Sequence, residues 1–257
     1  MSFSLKARWT PGGRYDGSSH FTFHGPATAM KPRAAVSWSG GKDSYLALHR
    51  SRSSYDIVAL ITMFDEDGAR SRSHGLRPEI LEAQAERMSL AMCTGHGSWA
   101  TYEDGYLKAL ANARALGISH VIFGDIMYDS NREFPERVCA ASGLVAVEPL
   151  WGESTDRLYR EFVGTGADAR IVTVRDTVLD ASWLGRRLTV ELLPELETAG
   201  ADACGEHGEY HTVVVDAPAF SRPIGLLPLE RVSRGGCSAL DFTIAEHATD
   251  GSHAASV

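Results

Sequence analysis

The chain has 257 residues, 44% of them hydrophobic and 23% charged, which is enough apolar material to bury a core without disulfides and too much for global disorder. A formal net charge of -8 and a pI of about 5.7 oppose binding to polyanions, so nucleic acid is a disfavoured partner. The four cysteines contain no C-x-x-C pair and no apolar run reaches the roughly 18 residues of a bilayer span, so a reducing, cytoplasmic location with no membrane partner is the expectation.

Residues 1–30 hold Gly12, Gly13, Gly17, Ser18 and Ser19 among scattered aromatics without helical or strand period, and read as a loose N-terminal arm. Ala34 to Ser37 is a short apolar strand that ends in a glycine turn, and Ser44 to Arg50 reads as the helix that follows. Asp56 to Met63 has the nearly continuous hydrophobicity of a strand covered on both faces. Pro78 opens a helix to Met88, with Ile80, Leu81, Ala85 and Met88 on one stripe. Tyr102 to Leu116 is a second amphipathic helix stopped by Gly117, and His120 to Phe123 is a further buried strand.

A helix over about Arg132 to Ser142, a strand Val145 to Val147, a helix Asp156 to Gly164, and strands Arg170 to Val174 and Thr212 to Val215 follow. The alternation predicts an α/β fold: a doubly wound, mainly parallel, Rossmann-like sheet with a second, smaller α/β domain. The expected division is a nucleotide domain over 31–128, a substrate-binding and catalytic domain over 129–246, and a flexible tail over 247–257.

Between the first strand and helix stand Ser39-Gly40-Gly41-Lys42-Asp43-Ser44. Glycines there let backbone N–H groups approach a phosphate, the helix start adds unpaired donors and a positive dipole end, and Lys42 adds a full charge. Asp43 and Ser44 are placed to cap the helix or to reach a phosphate-bound Mg²⁺, Asp43 being the candidate metal ligand. The loop is not a Walker A motif, which needs glycine where Val36 stands and Ser or Thr where Asp43 stands.

This loop resembles that of the ATP pyrophosphatase (PP-loop, N-type) superfamily, whose members split ATP to AMP and pyrophosphate. Within it the chain is similar to the diphthine–ammonia ligase family, through His74-Gly75-Leu76, Gly124-Asp125-Ile126, Glu148-Pro149-Leu150-Trp151 and Cys204-Gly205-Glu206-His207-Gly208-Glu209-Tyr210-His211-Thr212, then Asp216-Ala217-Pro218. These run in the family's order from about Lys31 to Phe220. Archaeal and eukaryotic members carry Gly-Ala at Gly124-Asp125, Gly-Glu-Gly-Gly-Glu at Gly205–Glu209 and glutamate at His211; the departures look like the bacterial branch, so the chemistry transfers better than the acid substrate.

The resemblance implies ATP and Mg²⁺ as cofactors, bound by the loop residues Ser39 to Ser44 with Met63, His74, Gly124 and Asp125. It places the substrate side at Arg132, Gly205, Glu206, Gly208, Glu209, His211 and Thr212. Lys42, Asp43, Glu206 and Glu209 are the catalytic candidates, one of the two glutamates serving as proton acceptor. The implied reaction adenylates a carboxylate on a small molecule or modified protein residue and passes it to ammonia. Corrinoid-type metabolite amidation, tRNA-modifying adenylation and a non-catalytic adenine-nucleotide module are the alternatives, and a homodimer is an open expectation. Arg132 and Arg137, on the helix after Gly124-Asp125, are candidates to pair with pyrophosphate or the acid substrate, although exposed arginines on helices are more often plain solubilising charge. Cys204, His207 and His211 have C-x₂-H-x₃-H spacing but lack a fourth ligand, so zinc is not favoured. Trp38, Trp99, Trp151 and Trp183 read as packing residues.

Overall fold

The structure is a computed structural model, and it describes residues 30–245. The arm expected over 1–30, apart from Met30, and the tail over 247–257 lie outside the described residues.

Five strands form a parallel sheet: β1 (Arg33–Ser37), β2 (Asp56–Phe64), β3 (Ala91–His96), β4 (His120–Ile122) and β5 (Val145–Val147), in the order β3-β2-β1-β4-β5. Their apolar runs are covered on both sides, as a parallel sheet demands. Val36 and Leu60 share one core with Tyr45 and Leu46 of α1 (Lys42–Ser51) and with Ile80 and Leu81 of α2 (Pro78–Met88). Ala35 and Ile61 share another with Tyr106 and Leu110 of α3 (Tyr102–Ala115) and Val138 of α4 (Asp129–Ala141). The order of crossings reverses between β1 and β4, and a ligand crevice opens at such a point beyond the carboxyl ends of the strands.

Local signals explain the boundaries. Pro78 occupies the first turn of α2, where its missing N–H costs nothing, and Ser89 closes that helix in the left-handed region with its amide on Ala85 O and Glu86 O. α4 begins three residues before the expected Arg132 and tolerates Pro135 inside. α4 and β5, which follow Tyr128, pack on and pair into the first sheet.

The second sheet is antiparallel, in the order β7-β6-β9-β8, built from β6 (Asp168–Arg175), β7 (Tyr210–Asp216), β8 (Leu226–Arg234) and β9 (Cys237–Ile244). Two helices, α5 (Thr155–Gly164) and α6 (Leu193–Thr198), accompany it. The expected smaller α/β part is therefore built on a wholly antiparallel sheet.

Helix α1 buries residues around most of its circumference, the mark of a helix enclosed on all sides. The first sheet covers one side, while Phe162 of α5 meets Tyr45 edge-on at 6.1 Å between ring centroids. Arg50 of α1 fixes the contact through Glu161 (2.8 Å), Glu153 (2.6 Å) and Pro149 O (2.7 Å). Elsewhere, Arg70 and Arg77 of the β2–α2 loop both grip the buried Asp241 of β9.

Candidate active site

The turn from Trp38 to Gly41 hands β1 over to α1. Gly40 has φ +85°, and a Cβ there would drive into Leu81 of α2 and Leu76 of the loop before it. At Gly41 a Cβ would fall on the His74 ring and 3.0 Å from Thr212 O. Glycine is thus required by close approach as well as by conformation. The first ladder bond of α1 runs from Tyr45 N to Gly41 O, so the amides of Lys42, Asp43 and Ser44 stand ahead of the ladder at the positive end of the helix. Ser39 Oγ and Ser44 Oγ lie 3.2 Å apart across the turn. Gly124 abuts the same helix start: a Cβ there would be 2.9 Å from Ser44 N.

The second sheet docks on this turn through β7. Val214 N donates to Gly40 O (2.9 Å), and Lys42 N donates to Thr212 Oγ1 (3.1 Å). Gln84 of α2, fully buried, reinforces the seam by donating to Gly40 O (3.0 Å) and Val214 O (2.7 Å) while accepting from Trp38 Nε1 (2.7 Å). Sequence reasoning missed Gln84, and a lone glutamine between Ala83 and Ala85 offers no signal for such a role.

The segment entering β7 carries the acidic turn. Gly205 and Gly208 adopt φ +73° and +79°. Asp202 Oδ1 accepts from Cys204 N (2.8 Å) and Glu206 N (3.2 Å), and Glu209 accepts from Asp202 N (3.1 Å) and His207 N (3.0 Å). The two expected carboxylates therefore differ in kind. Glu209 is buried and spent on backbone amides, which gives it the work of shaping the turn; Glu206 lines the cavity.

That cavity, about 430 Å³, is bounded by Ser39, Asp43, His74, Asp125 and Glu206, with Met63 and Tyr106 among its apolar walls. Burial pushes the Glu206 carboxyl up to about 7, with Asp43 adding to the rise and Lys42 opposing it. Burial likewise raises Asp125 to about 7, aided by Glu148 and Asp43. His74 donates from Nδ1 to Thr212 O (2.8 Å) and stacks on His211 at 4.7 Å between centroids. Burial lowers both rings, His211 to about 4 and His74 well below the ordinary range, so both are neutral near pH 7 and His74 Nε2 is left as an acceptor. Lys42 is 3% exposed, with Nζ 2.8 Å from Asp43 Oδ2 and donating also to Cys204 O. Burial opposes its charge most strongly, but Asp43, Cys204 and Glu206 together outweigh that and hold the ammonium above its usual range.

Ser39, Lys42, Asp43, Ser44, Met63, His74, Gly124, Asp125, Gly205, Glu206, Gly208, His211 and Thr212 all line this one cavity. Gly40 and Gly41 form the turn beneath it. Arg132 does not line it: the guanidinium pairs with Glu136 (3.0 Å) on its own helix and lies 3.6 Å from Glu148. Arg137 is paired with Glu103 (2.8 Å). Cys204 Sγ donates to Thr155 O (3.3 Å), His207 meets the Tyr128 hydroxyl and His211 meets His74; among the described residues no three His, Cys, Asp or Glu are grouped to hold a metal ion.

Trp99 corrects its sequence reading. The ring is 73% exposed because the Gly97–Thr101 turn presents it at the cavity, under the Arg72 guanidinium at 4.3 Å. Trp38 is buried as expected, and Trp183 and Trp151 are partly covered.

Residues 32–146 match the diphthamide synthase N-terminal domain, and residues 154–239 the diphthamide synthase C-terminal domain. The diphthine--ammonia ligase of Danio rerio is 30% identical over 211 residues, covering 72% of this chain and 83% of that protein. The Mus musculus enzyme of the same name is 29% identical over 223 residues, covering 75% and 82%. In Schizosaccharomyces pombe the match is 28% over 218 residues, 76% of this chain but 36% of that longer protein. No helix among the described residues is long and apolar enough to cross a membrane.

Proposed function

Because the chain belongs to the diphthamide synthase family, we propose that it is an ATP-dependent ligase that adenylates a carboxylate and passes it to ammonia. The supporting observation is that the phosphate-type turn and Glu206 share one cavity, brought together by the β7 contacts to Gly40 and Lys42. A carboxylate has no viable leaving group until it is activated. Its oxygen attacks the α-phosphorus, pyrophosphate leaves, and ammonia then attacks the acyl carbon with expulsion of AMP. The loop amides and the dipole end of α1 meet the charge that grows on pyrophosphate.

Gly40 and Gly41 let the turn pack tightly against Leu76, Leu81, the His74 ring and Thr212 O, and the amides of Asp43 and Ser44 at the start of α1 are left as the donors suited to a triphosphate. Mg²⁺ arriving on the nucleotide needs one or two carboxylates from the protein, and Asp43 and Asp125 face the same cavity; when bound, the ion would neutralise phosphate charge. Glu206, raised to about 7, is the group suited to take the proton from attacking ammonia. His74, neutral, offers an acceptor at Nε2. We assign nucleotide binding to the first sheet and the amine-side chemistry to the turn that enters β7. The acid is a carboxylate on a modified protein residue, as in the relatives' name, or on a small metabolite. Incubation with ATP, Mg²⁺ and ¹⁵N-ammonia against a pool of such acids should place ¹⁵N in an amide, read by mass spectrometry. ATP consumption that ignores both acid and ammonia would defeat the proposal.

A further inference from the structure

The cavity floor holds a lysine with two of its three ammonium donors already engaged. Lys42 follows the two glycines, and its ammonium sits in a buried site made by Asp43 Oδ2 (2.8 Å), the carbonyl of Cys204 and the Tyr210 ring, 5.2 Å from Nζ to the centroid. Its own amide is taken by Thr212 Oγ1. A single residue of the phosphate turn is thus tied at both its backbone and its side chain to the segment Cys204–Thr212. The carbonyl it holds belongs to the residue just before Gly205-Glu206, and Gly205 has a left-handed φ of +73°. Fixing that carbonyl fixes the direction in which Glu206 leaves the chain.

We propose that Lys42 is a positioning residue: its ammonium pins the Cys204 carbonyl, and so holds the Glu206 turn against the phosphate cradle, instead of gripping a phosphate itself. Phosphate binding then falls to backbone amides, Ser39 and Ser44. The consequence for the ligase reading, on which this part rests, is that Lys42 governs the amine step through Glu206 and leaves nucleotide affinity largely to the backbone.

The test compares wild-type protein with Lys42→Met, which keeps length and apolar stem but loses the charge. Hydrogen exchange without nucleotide should rise at least about tenfold at the amides of Glu206, His207 and Gly208, which are hydrogen-bonded within the turn. ATP affinity by calorimetry should stay within about threefold, where loss of a charge-assisted phosphate contact would cost about tenfold or more. With substrates, the loss should fall on kcat for amide formation and not on the KM for ATP. Should the variant misfold, the wild-type chain still decides: it has four lysines, so ¹⁵Nζ labelling gives few signals, and the Lys42 ammonium should appear as a slowly exchanging resonance that ATP leaves in place. Unchanged exchange in the turn with ATP affinity weakened about tenfold or more, or a Lys42 ¹⁵Nζ signal coupled to ³¹P on ATP addition, would overturn the assignment. The exchange and resonance in nucleotide-free protein test it even if the ligase reading fails.

Discussion

Asp241→Asn removes a carboxylate that two guanidinium groups share. The Asp241 side chain is 6% exposed and accepts from Arg70 Nη1 (2.5 Å) and Nη2 (3.0 Å) and from Arg77 Nη2 (2.6 Å) and Nε (3.1 Å). Burial pulls the carboxyl upward, but Arg70 and Arg77 hold it well below the usual carboxylate range. Hydrogen bonds to charged groups contribute about 1.5–3 kcal/mol net. Both arginines are about one third exposed and partly screened, so the lower end applies to each and the loss is about 3 kcal/mol. For a chain of this length that is a fall of about 6–12 °C in Tm.

The pH dependence has a definite sign. A carboxyl depressed in the folded state stabilises fully above its unfolded pKa, near 4, and less as pH falls below it. The gap between wild type and Asp241→Asn in urea unfolding should therefore be wide at pH 7 and narrow toward pH 3. A difference under about 1 kcal/mol at pH 7, or an equal gap at both pH values, would refute the reasoning.

Glu206→Gln should slow amide formation by about 10²–10⁴-fold and, with free ammonia held constant at each pH, remove the rise in rate that wild type shows through about pH 7, where Glu206 sheds its proton; a profile at constant free ammonia with the limb intact would assign the proton elsewhere. Gly41→Ala places a Cβ on the His74 ring and should weaken ATP binding by about tenfold or more, read by calorimetry, because the turn must open to admit it. Trp99→Ala should change stability by no more than about 0.5 kcal/mol in urea unfolding, since its ring is mostly in solvent; a loss of about 2 kcal/mol would restore the packing reading.

The first sheet was legible because its elements carry strong local signals: the Asp56 to Met63 run, Pro78 at a helix start and Gly117 at a helix stop. β3 was not, since Ala91–His96 carries neither a long apolar run nor a polar-apolar alternation in residue type and holds Gly95 near its end. That glycine permits the direct approach of α3, where Gly105 faces it, a fact of tertiary contact. The β8–β9 hairpin also escaped notice: Pro228 sits in β8, a register shift interrupts its pairing, and Leu227, Leu229 and Val232 are exposed, so no half-buried period exists to be read. In the site, the glycine-lysine turn and the Gly205–Glu209 segment were readable from residue type and order. Which of Glu206 and Glu209 faces the cavity was not, because it depends on Asp202 and on backbone amides seven residues apart. The outward turn of Trp99 depends on local geometry that side-chain chemistry does not encode, whereas the pairing of Arg132 with Glu136 is an i,i+4 helix pair that the spacing carries.

Attack at the α-phosphorus rather than the γ-phosphorus is tested by identifying the nucleotide product. With α-³²P-labelled ATP, Mg²⁺, ammonia and an accepted acid, resolved by chromatography, the label should appear in AMP in proportion to amide formed. Label accumulating in ADP in that proportion would contradict the account.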